Sequence, residues 1–388
     1  MQALTPAPES QFVDDDRLER IRTALKAHDA DGFLAFAPQN SYYLTGTYAG
    51  MYSRAVVGLV TEETSVFVGP YIERRKAQRT AWTDEVRVYE DTDDPYAVVA
   101  EAIDRTEATT LGIDRGVARP EWVDGVDSQT EATLVDATEQ LRTLRITKTP
   151  WEVSMMRRAS DLAAAEMEAY LDGTRSGRPE LDVLREMQSA AYDTYLDRYP
   201  EYDIGTANEL GQYGFASVLA GDHALESHSI SSAREIRDGD SVVGIALPSV
   251  QGYICEEERT ILVGDVDDDI TEAMETLIEV RNGTMERLGP GEPTDEIDAW
   301  TAGQLRDAGY ASNLVHRTGH GEGVTIHEAP AMNERVPGEL RPGMVISVEP
   351  GIYFPDRGIG LRHSDTFVVT EDGAERLTHS EDGVIRRA

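Results

Sequence analysis

GHGEGVTIHEAP, residues 319–330, followed by VEPGIY, residues 348–353, is the part of this chain whose reading decides its architecture. Histidines, glutamates and glycines alternate there with apolar residues. Ionisable groups set among apolar ones are costly to bury unless they meet each other or a ligand, so the segment reads as lining a site. Three more stretches have the same character: GDHALESH (221–228), CEEERT (255–260) and GLRHSD (360–365). Each is weak alone, since a lone histidine is more often a surface or satisfied core residue than a catalyst. Their order and spacing along one chain carry the information.

Around these stretches, strand-like runs at 241–247, 252–264, 344–353 and 365–370 alternate with two predicted helices, roughly 154–172 and 268–287. The strands bring polar residues inward at regular intervals, which a purely structural sheet avoids. Upstream, LRTLRITK (141–148) leads into Thr149-Pro150-Trp151-Glu152. The threonine can cap and the proline suits a first helical position, so a long helix is predicted through Met155, Met156, Ala159 and Leu162 to about Leu171. Earlier still, Leu18, Ile21 and Leu25 recur at helical spacing over Asp15 to about Ala30, and GFLAF (32–36), AVVGLV (55–60) and SVFVG (65–69) read as strands between turns. The expected organisation is an α/β domain over residues 1–148 and an α+β domain over residues 149–388. The first twelve or so residues read as a loose tail.

Length and composition agree with two packed domains: 388 residues, 40% of them hydrophobic. No apolar run reaches the roughly 18 residues of a spanning helix, and MQALTPAPESQFVDDD does not look like a signal peptide. The single cysteine, Cys255, excludes an internal disulfide and suits a reducing cytoplasm. Net charge is -36, and Lys26, Lys76 and Lys148 are the only lysines. Such an excess of carboxylate repels itself in dilute buffer and is screened in concentrated salt, as in the cytosol of an extreme halophile. Without a basic stripe, nucleic acid is not an expected partner.

Taken in order, the five stretches resemble the pita-bread family of prolidases, aminopeptidase P and creatinase. LRTLRITKTPWEV (141–153) resembles the family's inter-domain junction, and PQNSYYLTG (38–46) its amino-terminal domain. The resemblance implies a smaller α/β domain, then an α+β pita-bread domain holding the site. It also implies a homodimer in which one subunit's amino-terminal domain closes over the other's site. Its peptidase members hold two divalent metals with two aspartates, one histidine and two glutamates. Carried over by position, the first aspartate is Ile245 here, the second is Glu256, the histidine is His320, the first glutamate is Glu349 and the last is Ser364. Isoleucine and serine remove both the charge and the geometry that bridge two cations. A dinuclear centre is therefore not expected, and no metal cofactor is the first expectation. One divalent metal on Glu256, His320 and Glu349 is the alternative.

Several departures resemble creatinase, the family member that works without metal. Glu258-Arg259-Thr260 matches its ERT motif, whose glutamate meets a cationic amidine, where peptidases usually have threonine. His228 matches its catalytic histidine, although prolidases keep one there too. Tyr52-Ser53-Arg54 has the shape of the partner-subunit segment that clamps the substrate carboxylate. His327 points the other way, since creatinase lacks it. The resulting expectation assigns catalysis to His228, Glu258 and Glu349, with Arg54, Tyr52, Glu256, His320 and His327 binding a small-molecule substrate. In that scheme His228 takes a proton from water and returns it to the leaving nitrogen, while the glutamates hold a cationic C–N centre. Glu257 is expected on the opposite strand face, and His363 is as well explained by structure as by function. Three functions stay open: a metal-independent hydrolase of a zwitterion such as creatine or an ectoine-like solute, an Xaa-Pro dipeptidase or aminopeptidase with one metal, and a non-catalytic binding homologue. Loops 203–218 and 329–341 are expected to set the pocket.

Overall fold

The computed structural model describes residues 2–48, 53–205 and 215–388. The chain divides into two compact units, one up to Arg145 and one from Ile146 to Ala388 that excludes residues 207–212.

The first unit alternates strands and helices: β1 (Gln2–Leu4), α1 (Asp15–Lys26), β2 (Gly32–Ala35), α2 (Pro38–Thr45), β3 (Val57–Thr61), β4 (Ser65–Pro70), α3 (Arg74–Thr80), β5 (Glu85–Tyr89), α4 (Pro95–Asp104), β6 (Thr110–Ile113), α5 (Pro120–Asp127), β7 (Thr133–Asp136) and α6 (Thr138–Leu144). The strands form one mixed sheet in the order β1-β5-β4-β3-β2-β6-β7. Near-continuous apolar strands bury both faces, as a sheet covered on both sides requires. Leu34, Val57, Leu59 and Val68 pack with α4 and α5 on one face, and Phe33, Val60 and Tyr43 pack with α1 and α6 on the other. The buried Asp114 joins β6 to α2 by accepting from Phe36 N, Ala37 N and Asn40 Nδ2 at 2.8–2.9 Å.

The second unit opens with two helices, α7 (Pro150–Gly173) and α8 (Glu180–Arg198). Thr149 accepts from Glu152 N at 3.1 Å and Glu152 accepts from Thr149 N at 2.7 Å, a reciprocal capping box with proline at the first helical position. There follow β8 (Phe215–Ala220), β9 (Ser241–Leu247), β10 (Ser249–Val250), β11 (Tyr253–Ile254), β12 (Glu257–Val263), α9 (Asp268–Met285), α10 (Thr294–Leu305), β13 (Gly319–Gly321), β14 (Glu328–Met332), β15 (Val345–Val348), β16 (Gly351–Phe354), β17 (Ile359–Arg362), β18 (Ser364–Val369), β19 (Ala374–Arg376) and β20 (Ile385–Arg387). The main sheet runs β14-β13-β15-β18-β12-β9-β8, with β19 on β18 and β20 on β12. Ala163, Met167 and Tyr170 of α7 pack with Val183 and Met187 of α8 against Val218, Val242 and Ile261 on one face. Helix α9 closes another cluster against Ile352, Ile359 and Leu361.

Two differences from the sequence reading stand out. The helices α8 and α10 were not among those expected. Of nineteen residues in α8 only Glu180, Val183, Met187 and Ala191 are buried, a narrow stripe, and α10 buries Thr294, Asp298 and Thr301 beside two apolar residues, so neither shows the wide apolar face that marks a helix in sequence. The run 344–353 is not one strand: it breaks at Glu349-Pro350, where the proline has no N–H to give to a ladder. Among the described residues no helix is long and apolar enough to cross a membrane.

Candidate active site

Five strand ends of the second unit meet at one buried polar cluster. His320 is central on β13, its position fixed by close backbone packing. A Cβ on Gly319 would lie 2.0 Å from Ser347 O, and one on Gly321 would lie 2.2 Å from Ala329 O. Only glycine on both sides lets β13 sit between β14 and β15. Asp298 of α10 accepts from Thr318 N at 2.9 Å, holding the segment that enters this strand.

His320 Nδ1 lies 3.1 Å from Gly321 O, so this nitrogen carries the hydrogen and Nε2 is turned to two carboxylates. Glu349 Oε1 is 3.3 Å from Nε2 and Glu256 Oε2 is 3.7 Å from it. The other oxygen of Glu256, Oε1, accepts from Ser347 Oγ at 2.8 Å and Ser364 Oγ at 2.5 Å. Its backbone is held too, with Glu256 N donating to Thr366 Oγ1 at 3.1 Å. Burial would depress the His320 imidazolium, but its interaction with the accepting carboxylate of Glu349 and the charge of Glu256 outweigh it and raise the group to about 10. Burial also works against the Glu349 carboxylate, and there His320 prevails and draws it down to about 2. Glu256 is pushed up by burial and by the charge of Glu349, while His320 and the two serines pull it back.

The register explains which ligand positions are lost. Ser217 pairs with Ile245, Ile245 with Glu258 and Glu258 with Ser364, forming one row across β8, β9, β12 and β18. Ile245 packs in an apolar cluster with Leu219, Ala224 and Ile254. Glu258 forms a buried ion pair with Arg362, Oε2 to Nε 2.6 Å. Burial pushes Glu258 upward and Arg362 draws it down. A guanidinium that cannot lose its proton at this distance keeps the pair ionic. On the opposite face of the same strands, Asp365 meets Arg259, Arg281 and Arg376, and Glu257 accepts from Ser380 N at 2.8 Å.

The remaining expected residues are distributed as follows. His327 is exposed, with its ring 4.4 Å from that of His320, and the exposed His228 lies 5.9 Å from His327. Partial burial and the charge of His320 lower His327 to about 4, so it is neutral at neutral pH. His363 is fully buried, and burial together with Arg259 and Arg281 holds it far below its usual range. Arg54 belongs to the first unit and pairs there with Asp91. Tyr52 lies outside the described residues, as does the stretch 206–214 of the expected pocket loop.

Sequence reasoning did not single out Arg362, Ser347, Glu322 or His316. Glu322 is buried beside Thr366 Oγ1 at 2.9 Å, and burial with the charge of Glu256 raises it to about 8. The glycines around it in GHGEG were the available signal. His316 Nε2 meets Tyr353 Oη at 2.8 Å, and Ser227 Oγ lies 3.3 Å from the same oxygen.

Residues 154–371 match metallopeptidase family M24, and residues 17–147 match the creatinase/prolidase N-terminal domain. The chain is a member of that family, with the N-terminal domain followed by the pita-bread domain. It is 29% identical over 372 residues to an Xaa-Pro dipeptidase of Pyrococcus furiosus, covering 94% of this chain and 98% of the relative. An Xaa-Pro dipeptidase structure from Bacillus anthracis superposes with TM-score 0.83 at 26% identity, over 96% of this chain and 99% of the other. The dipeptidase PepE structure from Mycobacterium ulcerans gives TM-score 0.81 at 26% identity, over 98% and 99%.

These findings correct one expectation. No cofactor was expected because two ligand positions are lost, yet the family is one of metallopeptidases and three candidate ligands remain together. Glu256, His320 and Glu349 each offer a ligand atom, and these atoms lie within 4.8 Å of one another. Among the described residues His320 Nε2 has the carboxylates of Glu349 and Glu256 near it but no well-aligned hydrogen-bond partner, as a ligand nitrogen would. The set fits one divalent cation and not two, since Ile245 and Ser364 offer no charge and Asp365 is held by three arginines. Charge agrees: with Glu258 and Arg362 cancelling, Glu256 and Glu349 together complement one doubly charged ion beside a neutral imidazole.

Proposed function

We propose that this chain is a peptidase with a single divalent metal that hydrolyses small Xaa-Pro peptides. The observation that carries the reading is the convergence of Glu256, His320 and Glu349 on one buried point. A divalent cation held there supplies Lewis-acid polarisation of a carbonyl and acidifies an attacking water. The chain's own groups supply the rest. His327, neutral at working pH, offers a ring nitrogen to hydrogen-bond the peptide on the open side of the cluster. His228 stands beside it to take or return a proton. Glu258 holds the guanidinium of Arg362, which favours the ionised form of Glu349.

The relatives' names as Xaa-Pro dipeptidases support peptide over amidine hydrolysis. So does Glu258: one of its oxygens is already paired with Arg362, whose charge opposes a cationic substrate group there. The same reading takes the chain as a dimer in concentrated salt, with Arg54 meeting the substrate carboxylate of the partner subunit. The test is elemental analysis of protein purified in molar salt, with hydrolysis of an Xaa-Pro dipeptide assayed with and without chelator. About one metal per chain and chelator-sensitive cleavage are expected. Full cleavage after complete metal removal overturns the reading.

A further inference from the structure

We propose that Ser347 and Ser364 are positioning residues that pin Glu256 as a one-oxygen ligand and close the place of a second cation. The proposal rests on the single-metal reading. Three buried oxygens form a tight triangle: Ser347 Oγ and Ser364 Oγ lie 2.8 and 2.5 Å from Glu256 Oε1 and 2.7 Å from each other. Two hydroxyls have two protons for three contacts, so one serine donates to Oε1 and the other donates to Oε1 or to its fellow serine; either way both hydroxyls enclose that oxygen. The opposite oxygen, Oε2, is left facing His320.

Two consequences follow from that enclosure. A carboxylate bridges two cations, or chelates one, only with both oxygens available. With Oε1 enclosed by the two hydroxyls, Glu256 is left with one oxygen to give to one ion. Second, glutamate is one methylene longer than the aspartate that the resemblance implies here, and its extra torsion must be frozen for tight ligation. The serines freeze it from two different strands, β15 and β18, while Thr366 fixes its main chain at 2.8 and 3.1 Å. Ser364 thus stands in a vacated ligand position and holds a ligand in place of being one.

The test is cobalt(II) titration of the full chain by calorimetry and visible absorption, with Ser347→Ala, Ser364→Ala and Ser364→Thr compared. The unaltered chain is expected to take one cobalt. Each alanine variant weakens cobalt binding about 10–100-fold and shifts the visible bands, whereas Ser364→Thr, which keeps the hydroxyl, stays close to the unaltered chain. Near-UV circular dichroism checks that each variant is folded. Alanine variants with unchanged affinity and spectrum overturn the proposal, as does equal loss in the alanine and threonine variants. A second cobalt bound by the unaltered chain also overturns it. If the unaltered chain binds no cobalt, the single-metal reading itself falls.

Discussion

Replacing Arg362 by methionine should destabilise the second unit far more than replacing its partner Glu258 by glutamine. Both side chains are almost wholly buried, at 5% and 4% exposure, with 2.6 Å between them. At an effective dielectric of about 20, opposite charges this close attract by about 6 kcal/mol. Desolvating both consumes much of that, so the pair as a whole adds little. Removing only the guanidinium leaves Glu258 buried near Glu256 and Glu349 with no cation beside it, which costs about 3–5 kcal/mol. Glu258→Gln costs less, about 1–3 kcal/mol, because Arg362 still feels Glu349 and Glu256. The double variant should then be more stable than the summed losses by about 2 kcal/mol. Native-state hydrogen exchange of peptides from β12 and β18 reads opening of this unit alone, free of the first unit's unfolding. A loss below about 1 kcal/mol for Arg362→Met, or an additive double variant, refutes a buried, coupled pair.

Three other outcomes are expected. His327→Ala should lower kcat/KM on an Xaa-Pro dipeptide about 10²–10⁴-fold with metal stoichiometry unchanged; a parallel loss of metal would make it a ligand. Glu166 is buried in α7 with no cation paired to it among the described residues, and burial raises its carboxyl well above the usual range. Its folded form is favoured while protonated, so its contribution is whole below the unfolded pKa and is lost as pH rises toward the folded one. Glu166→Met should therefore stabilise by about 1–3 kcal/mol near neutrality and by less near about pH 5; calorimetry showing one gain at both pH values would count against this. Finally, with net charge -36, Tm should climb as KCl goes from about 0.1 M to about 1 M and the screening length falls from about 10 to about 3 Å. A flat curve would remove the case for a salt-adapted surface.

What could be read from the sequence was what local chemistry encodes. The start of α7 was legible because Thr149, Pro150 and Glu152 sit within one turn. His320 and Glu349 were legible because glycines flank the histidine where strands pack closely and Pro350 ends a strand at the glutamate. Serine in an apolar strand such as VISV carries no such mark, and only the register that sets Ser347 beside His320 and Thr366 gives it a role. The creatinase-like reading of Glu258 lacked its ion-pair partner for a related reason. The motif gives the residue type, while the Arg362 that occupies its carboxylate comes from another strand, 104 positions on in the numbering. Loss of two ligands was likewise read as loss of all metal, because the closeness of the remaining three is a property of the folded sheet.

The row Ser217, Ile245, Glu258, Ser364 also bears on how such a site can change over generations. Ile245→Asp alone puts a carboxylate into an apolar cluster, and Ser364→Glu alone adds one more anion to a cluster already matched to a single ion. Each single step lands on a chain destabilised by several kcal/mol, and the gain arrives only when both are present with a second cation. A lineage that has crossed to this arrangement faces a valley on the way back, so the one-ion state proposed above would behave as a ratchet.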